Sequence, residues 1–313
     1  MRNLLLSSAM ALALATPAFA AGNSAHSGQS AGKAMQSQAG NQQASDWIRV
    51  TSAENLVGRD VRTKDGKDAG RIDGIVLDIP QGDVVYLLIG SGGQLDIGND
   101  RIAVPFGVLQ TPVPADEDAA VVVNQDLGKL RDGKRISNDR YGDLGNESTM
   151  KQVYGSYGIG MPSGYLVPPM PGRDQHRYML VRPDEVSMLG DSGNMRAQNV
   201  RGTDVLRPNG DDVGEIDQVV IDPASGRVPY LLLSSGGFLG IGNDWVPVPP
   251  QALSWSSDKD AFVLKDKGLD PTAMQALRKS DLPARVARTQ VQTLYERFDV
   301  TPYWDKQQGK DKG

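Results

Sequence analysis

Cysteine is absent from all 313 residues, which excludes disulfides, thiolate metal sites and cysteine nucleophiles. Histidine is almost absent too, with only His26 and His176 present. Both lie in segments that read as irregular, whereas a Ser–His–Asp relay or an imidazole metal site needs a rigidly held ring. Basic residues (33) are outnumbered by acidic ones (38), so the positive face of a nucleic-acid binder is missing. Arg285, Arg288 and Arg297 gather near the C-terminus, but Glu296 and Asp299 beside them mark a solvated helix face. After Ala20 no apolar run approaches the roughly 20 residues that a membrane-crossing helix requires. Glycine (36) and proline (19) are plentiful while aromatics make up only 6%, a balance that favours short strands and many turns.

The N-terminus carries an address. Met1-Arg2-Asn3 is a short basic start, Leu4 to Thr16 is apolar, and Ala18-Phe19-Ala20 supplies a small–x–small cleavage pattern. Residues 1–20 are therefore expected to be a signal peptide removed after Ala20, leaving a periplasmic or secreted protein with no transmembrane segment. Residues 21–46 are mostly Ala, Gly, Ser, Gln and Asn, which bury too little apolar surface to offset ordering entropy. A disordered tether is expected there.

Sliding the chain against itself exposes a duplication. Asn55–Leu109 aligns without a gap on Asn199–Leu253, 144 residues on, with 27 of 55 pairs identical. Lys64-Asp65-Gly66-Lys67 and Pro208-Asn209-Gly210-Asp211 read as hairpin turns, since Asp-Gly and Asn-Gly tolerate positive φ. Gly70–Ile79 alternates along a strand, with turn residues after it. Val84–Ile89 and Val228–Leu233 are near-continuous apolar runs, as in strands covered on both faces. Glycine-rich loops lead into Arg101–Val104 and Trp245–Val248, and closing strands are expected at Ala119–Val123 and Ala261–Leu264. The expected domains are 47–131 and 196–268. Between them lies an irregular linker, 132–195, rich in Pro, Gly, Tyr and Met, and 269–313 forms C-terminal helices and a tail.

The ordered string "LVGRDV…DGKDAGRIDGIVLD…VVYLLI…GG…IGNDRIAVP" resembles the PRC-barrel family, and "GTDVLRPNGDDVGEIDQVVID…VPYLLLSSGGFLGIGNDWVPVP" resembles it more closely. That family includes the extramembrane domain of the photosynthetic reaction centre H subunit, the C-terminal half of a ribosome-maturation factor, and many exported bacterial proteins. The resemblance covers roughly half the chain. It implies a mainly β fold: two small antiparallel β-barrels of PRC type, plus short C-terminal helices and disordered linkers. The first copy departs at Gln94 and Asp96, where the second has Phe238 and Gly240, so its loop is less apolar.

Few residues suit chemistry. Asp73, Asp78, Asp217 and Asp222 recur at matched places, but residues five apart on a strand face opposite ways and sit about 17 Å apart, which makes no acid–base dyad. The acidic turns 65–68 and 209–212 lack the spaced ligands of a calcium loop. The glycine loops hold no Lys or Arg and open no helix, unlike a phosphate cradle. Met161, Met170, Met179 and Met188 could suggest copper(I), yet nine extended residues span about 28 Å. The linker reads better as a sticky segment lying over the barrels or meeting a partner. Asp270-Pro271 starts a helix that Pro283 interrupts, and a second helix should present Val291, Leu294, Tyr295 and Phe298 on one face.

The residues chosen for partner contact are Phe238, Leu239, Ile241, Trp245, Tyr303 and Trp304, although core packing suits Trp245 better and Tyr303-Trp304 also read as extending the docking of the second helix's stripe on a barrel. No catalytic residue, cofactor or metal ligand is expected. The leading expectation is a non-enzymatic periplasmic binding or scaffold protein presenting barrel surfaces to a protein or envelope component, with no nucleic acid partner. An accessory role in membrane electron transfer and an envelope enzyme are the alternatives.

Overall fold

The computed structural model describes residues 46–90, 95, 97–162, 178–182, 200–234, 244–256, 258–265, 277–278 and 282–304. The chain enters through two short strands, β1 (Trp47–Arg49) and β2 (Thr51–Ser52), before the first repeat begins. β3 (Asp60–Thr63) turns at Gly66 into β4 (Asp68–Asp78). Thr63 Oγ1 donates to Asp65 Oδ1 at 2.5 Å and accepts from Lys67 N at 3.0 Å, pinning the turn. Together with the neighbouring Lys67, that bond holds the Asp65 carboxyl down to about 2. β5 (Asp83–Gly90) is buried along its whole length, β6 (Arg101–Pro105) pairs beside it, and β7 (Val121–Val123) returns to β3. A short helix α1 (Leu127–Arg131), capped by Asp126 accepting from Lys129 N at 2.8 Å, leads to β8 (Arg135–Ile136) on β6.

Among the described residues this sheet runs β7-β3-β4-β5-β6-β8. The ladders are antiparallel except β3–β7, which is parallel. β4 serves several neighbours by bending: its register against β5 shifts between Ile72 and Gly74 and again between Val76 and Leu77. The alternation expected for Gly70–Ile79 is therefore lost after Gly74, where Ile75 to Ile79 are all buried.

The linker expectation is corrected. Residues 138–145 form a 3-10 segment, α2 spans Glu147–Ser156, and β9 (Tyr178–Val181) pairs with the second half of β4. Met150, Val153, Tyr154 and Tyr157 fall at helical spacing and pack into the core. Burial of such a stripe, at about 2 kcal/mol per large side chain, outweighs the weak helix propensity of Gly155 and Ser156.

The second repeat follows the same plan. β10 (Asp204–Leu206), β11 (Asp212–Ile221), β12 (Tyr230–Ser234), β13 (Asp244–Val248), β14 (Leu253–Ser256), β15 (Ala261–Leu264) and β16 (Leu277–Arg278) run β14-β15-β10-β11-β12-β13-β16. The Val205–Phe262 pair of the parallel β10–β15 ladder matches Val61–Val121 in the first repeat, so the offset drops from 144 to 141 across a shorter loop. It stays at 141 thereafter, since Trp245 pairs with Leu277 as Arg101 does with Ile136. After β17 (Arg285–Ala287), α3 (Arg288–Arg297) places Val291, Leu294, Tyr295 and Phe298 where α2 has Met150, Val153, Tyr154 and Tyr157. Both helices end on a left-handed residue, Gly158 or Asp299. Backbone bonds Ile159 N to Tyr154 O (3.3 Å) and Val300 N to Tyr295 O (2.9 Å) close the two ends alike. The duplication thus extends through a helix in each copy. The second helix was expected; the one expected between Asp270 and Pro283 is corrected at Leu277–Arg278, which pair with β13 as a strand, while residues 266–276 and 279–281 lie outside the described residues.

The two repeats pack on each other about a pseudo-two-fold axis. At the tips of their central hairpins, Val84 N donates to Gly226 O and Val228 N to Gly82 O, each at 2.8 Å. Asp83 and Arg227, equivalent positions, form a bridge and an ion pair of 2.5 Å across the axis. Gly226 has φ +71°, and a Cβ there would fall 2.5 Å from the Phe106 ring, so only glycine fits the joint. The strands that lead into each repeat are exchanged: β2, ahead of the first repeat, pairs with β11 of the second, and β9, ahead of the second, pairs with β4 of the first. β1 and β17 make a separate two-stranded sheet. One apolar cluster runs through both repeats, and a second joins Ile48, Val50 and Val286 to α3 and the outer face of β11–β13.

Candidate binding groove at the repeat joint

The carboxylates that the copies share hold the fold. Asp78, fully buried, accepts from Gln81 N at 3.2 Å, and Asp222 accepts from Ala224 N at 2.9 Å and Ser225 Oγ at 2.6 Å, so both shape the hairpin tips. Asp73 pairs with Arg101 at 2.8 Å. Asp217, its counterpart, accepts from Trp245 Nε1 at 2.8 Å. Glu54, brought alongside by the strand exchange, lies 3.4 Å from Arg201, and burial pushes its carboxyl above the usual carboxylate range. Arg59 donates to Pro114 O, Asp116 O and Ala119 O, stapling the longer loop of the first repeat, and burial lowers its pKa. Among the described residues no group of three or more His, Cys, Asp or Glu could hold a metal ion, and no helix is long and apolar enough to cross a membrane.

Of the residues chosen for partner contact, Phe238, Leu239 and Ile241 lie outside the described residues. Trp245 is 4% exposed and Tyr303 8%, both within the cluster that seats α3. Trp304 lies half-buried, its ring 4.8 Å from Tyr303 and 6.2 Å from Tyr295. The core packing that suited Trp245 better is what the structure has, and Tyr303 extends the docking of the C-terminal helix rather than facing outward. The reason is the C-terminal helix, which needs an aromatic floor to dock. Burial raises the tyrosine hydroxyls of Tyr230, Tyr295 and Tyr303, and of Tyr157 in the first repeat, above the ordinary range. Of the methionines singled out, Met161 packs partly buried against the core; Met170 and Met188 lie outside the described residues.

What the described surface offers instead is a groove of about 350 Å³ at the joint. Its walls are Val84 and Phe106 from the first barrel and Tyr154 and Ile159 from α2 and the turn beyond it. Asp83 and Arg227 contribute the charged part of its lining and Pro162 stands at its rim. The related positions of the second repeat are Tyr295, Val300 and Tyr303. There the space is filled: the Tyr303 ring lies 5.9 Å from the Arg227 guanidinium. Gln251, equivalent to Gly107, reaches across to donate to Gln81 O at 3.0 Å. Sequence reasoning missed the groove because its signal is divergence, at Phe106/Pro250, Gly107/Gln251 and Pro162/Tyr303, and the last pair aligns only after the offset changes.

A family model for the PRC-barrel domain matches residues 49–128 and 192–269, about half of the chain. The chain belongs to the PRC-barrel domain family and carries two tandem copies of the domain. Comparison with curated proteins gives no match.

Proposed function

We propose that this chain is a non-enzymatic binding or scaffold protein of the periplasm or the cell exterior, and that it presents the groove at its repeat joint to a protein partner. The observation that carries this reading is the division of labour between shared and unshared residues. The carboxylates common to both copies are committed to turns and strand pairing, while the copies diverge around an open, partly apolar groove. The leader-like N-terminus supports export. The PRC-barrel family supports binding over catalysis.

The test is photo-crosslinking in the intact cell. Gly107 borders the groove and is exposed, and a Cβ added there would meet only Ile159, at 3.7 Å. A photoreactive residue at position 107 should give a discrete adduct absent when it is placed at the exposed Lys129. Identical adduct patterns from the two positions would sink the proposal.

A further inference from the structure

We infer that the groove receives an aromatic side chain that follows a proline in an extended segment of a partner protein. The inference rests on the reading of the groove as a binding surface and names what it binds.

The molecule contains an occupied version of the same site. In the second repeat the chain leaves α3, turns at Asp299 and runs through Pro302 to lay Tyr303 between Tyr295 and Arg227. In the first repeat the chain leaves α2 through the matching turn at Gly158 but arrives with Pro162, and among the described residues none fills the ring-sized space. Two of its walls are kept in kind, while Asp83 stands where the second repeat has Arg227. Tyr154 stands for Tyr295, and Ile159 for Val300. Tyr154 is held in place by its neighbours, since its ring centroid lies 5.9 Å from that of Tyr86 and its hydroxyl donates to Val85 O at 3.3 Å.

Charge fits the same occupant. Arg227 lies near the pseudo-axis and borders the groove as well as the Tyr303 ring. A guanidinium favours the electron-rich face of an aromatic ring, and the Asp83 carboxylate is an acceptor for a phenolic hydroxyl. The groove is also continuous with the joint between the repeats, where Gly82 and Gly226 already bring two backbones together. Aromatic anchors in such pockets dominate binding energy.

The test uses the full chain and the peptide N-acetyl-Thr-Pro-Tyr-Trp-amide, which copies Thr301–Trp304, followed by calorimetry and amide chemical shifts. One saturable site is expected on the wild type. Pro162→Tyr gives the first repeat the residue that fills its sister, and Gly107→Gln gives it the sister's second filling residue. Each should weaken binding by about tenfold or more, as expected for loss of one anchor. Tyr303→Ala should open a second site and raise the stoichiometry to two. Equal binding of N-acetyl-Thr-Pro-Ala-Ala-amide, or peptide affinity unmoved by both Pro162→Tyr and Gly107→Gln, overturns the inference. So does tighter binding after residues 163–177 are replaced by a Gly–Ser linker, because the chain's own segment would then be the occupant. If the adduct at position 107 forms in cells but the peptide neither binds nor competes with it, the aromatic specificity fails and the groove stands. If neither is seen, both readings fall.

Discussion

The first repeat ends its cap helix at Gly158 and reaches the joint with Pro162; the second ends its own at Asp299 and closes the joint with Tyr303 and Trp304. Among the described residues the same frame therefore has one side sealed by the chain and one side open. A similar contrast runs along the sheet. Where the first repeat sets Asp73 against Arg101, the second sets Asp217 against Trp245 and adds the Glu54–Arg201 pair from the exchanged segment. Positions that both copies keep, such as Asp78 and Asp222 or Gly82 and Gly226, are those the backbone cannot do without. Divergence is tolerated where the fold is already secure, and that is where a binding surface can be built.

The comparison breaks most readily at the cap helices. Tyr295 is fully buried in the second repeat and Tyr154 holds the matching place in the first. Replacing either with alanine should cost about 3–5 kcal/mol in denaturant unfolding, with Tyr295 the costlier because Trp304 also rests on it. If Tyr154→Ala left stability unchanged, α2 would not be a structural counterpart of α3.

A smaller effect is expected at the axis. Asp83 and Arg227 are mostly buried and face each other, so removing either one abolishes the ion pair across the joint. Single alanine substitutions should cost about 1–3 kcal/mol, and the double substitution should cost clearly less than their sum. Strict additivity would show that the two repeats meet without this pair.

The smallest effect sharpens the difference in charge. Glu54 has a folded pKa raised above the ordinary 4.5, chiefly by burial. Its contribution is fully present below that ordinary value and is lost as pH rises through the raised one. Glu54→Gln should therefore be more stable than wild type at neutral pH, with the gap closing below about 4.5. Thermal melts across that range measure it. A gap that widens on acidification would mean that the Arg201 pair, not burial, governs the site.

Much of the fold was legible because turn chemistry repeats at fixed spacing. Gly66 and Gly210, and Gly82 and Gly226, all take positive φ at the same points of their hairpins, and the apolar runs between them became β5 and β12. α3 announced itself by its stripe. α2 carries the same stripe but sits in a glycine- and tyrosine-rich stretch behind a three-residue change in offset, so neither composition nor the 144-residue alignment marks it. The strand exchange was not legible at all. β2 has two residues and β9 four, and each pairs with a strand more than 90 residues away, where no local pattern reports the partner. The aromatic contact at Tyr303 was visible as a tendency to be covered, but a sequence does not say whether the cover comes from another molecule or from the chain itself.

The exchanged strands also set the order in which the molecule can be finished. A chain emerging N-terminus first presents β1 and β2 long before either has anything to pair with. β2 must wait for Val220 and Ile221, and β1 for Arg285–Ala287, while Asp46 O waits for Arg288 N. The beginning of the folded body is thus fastened by nearly its last element. A product cut short before β17 keeps a loose leading edge that proteases can grip, so the fold itself distinguishes a completed chain from a truncated one.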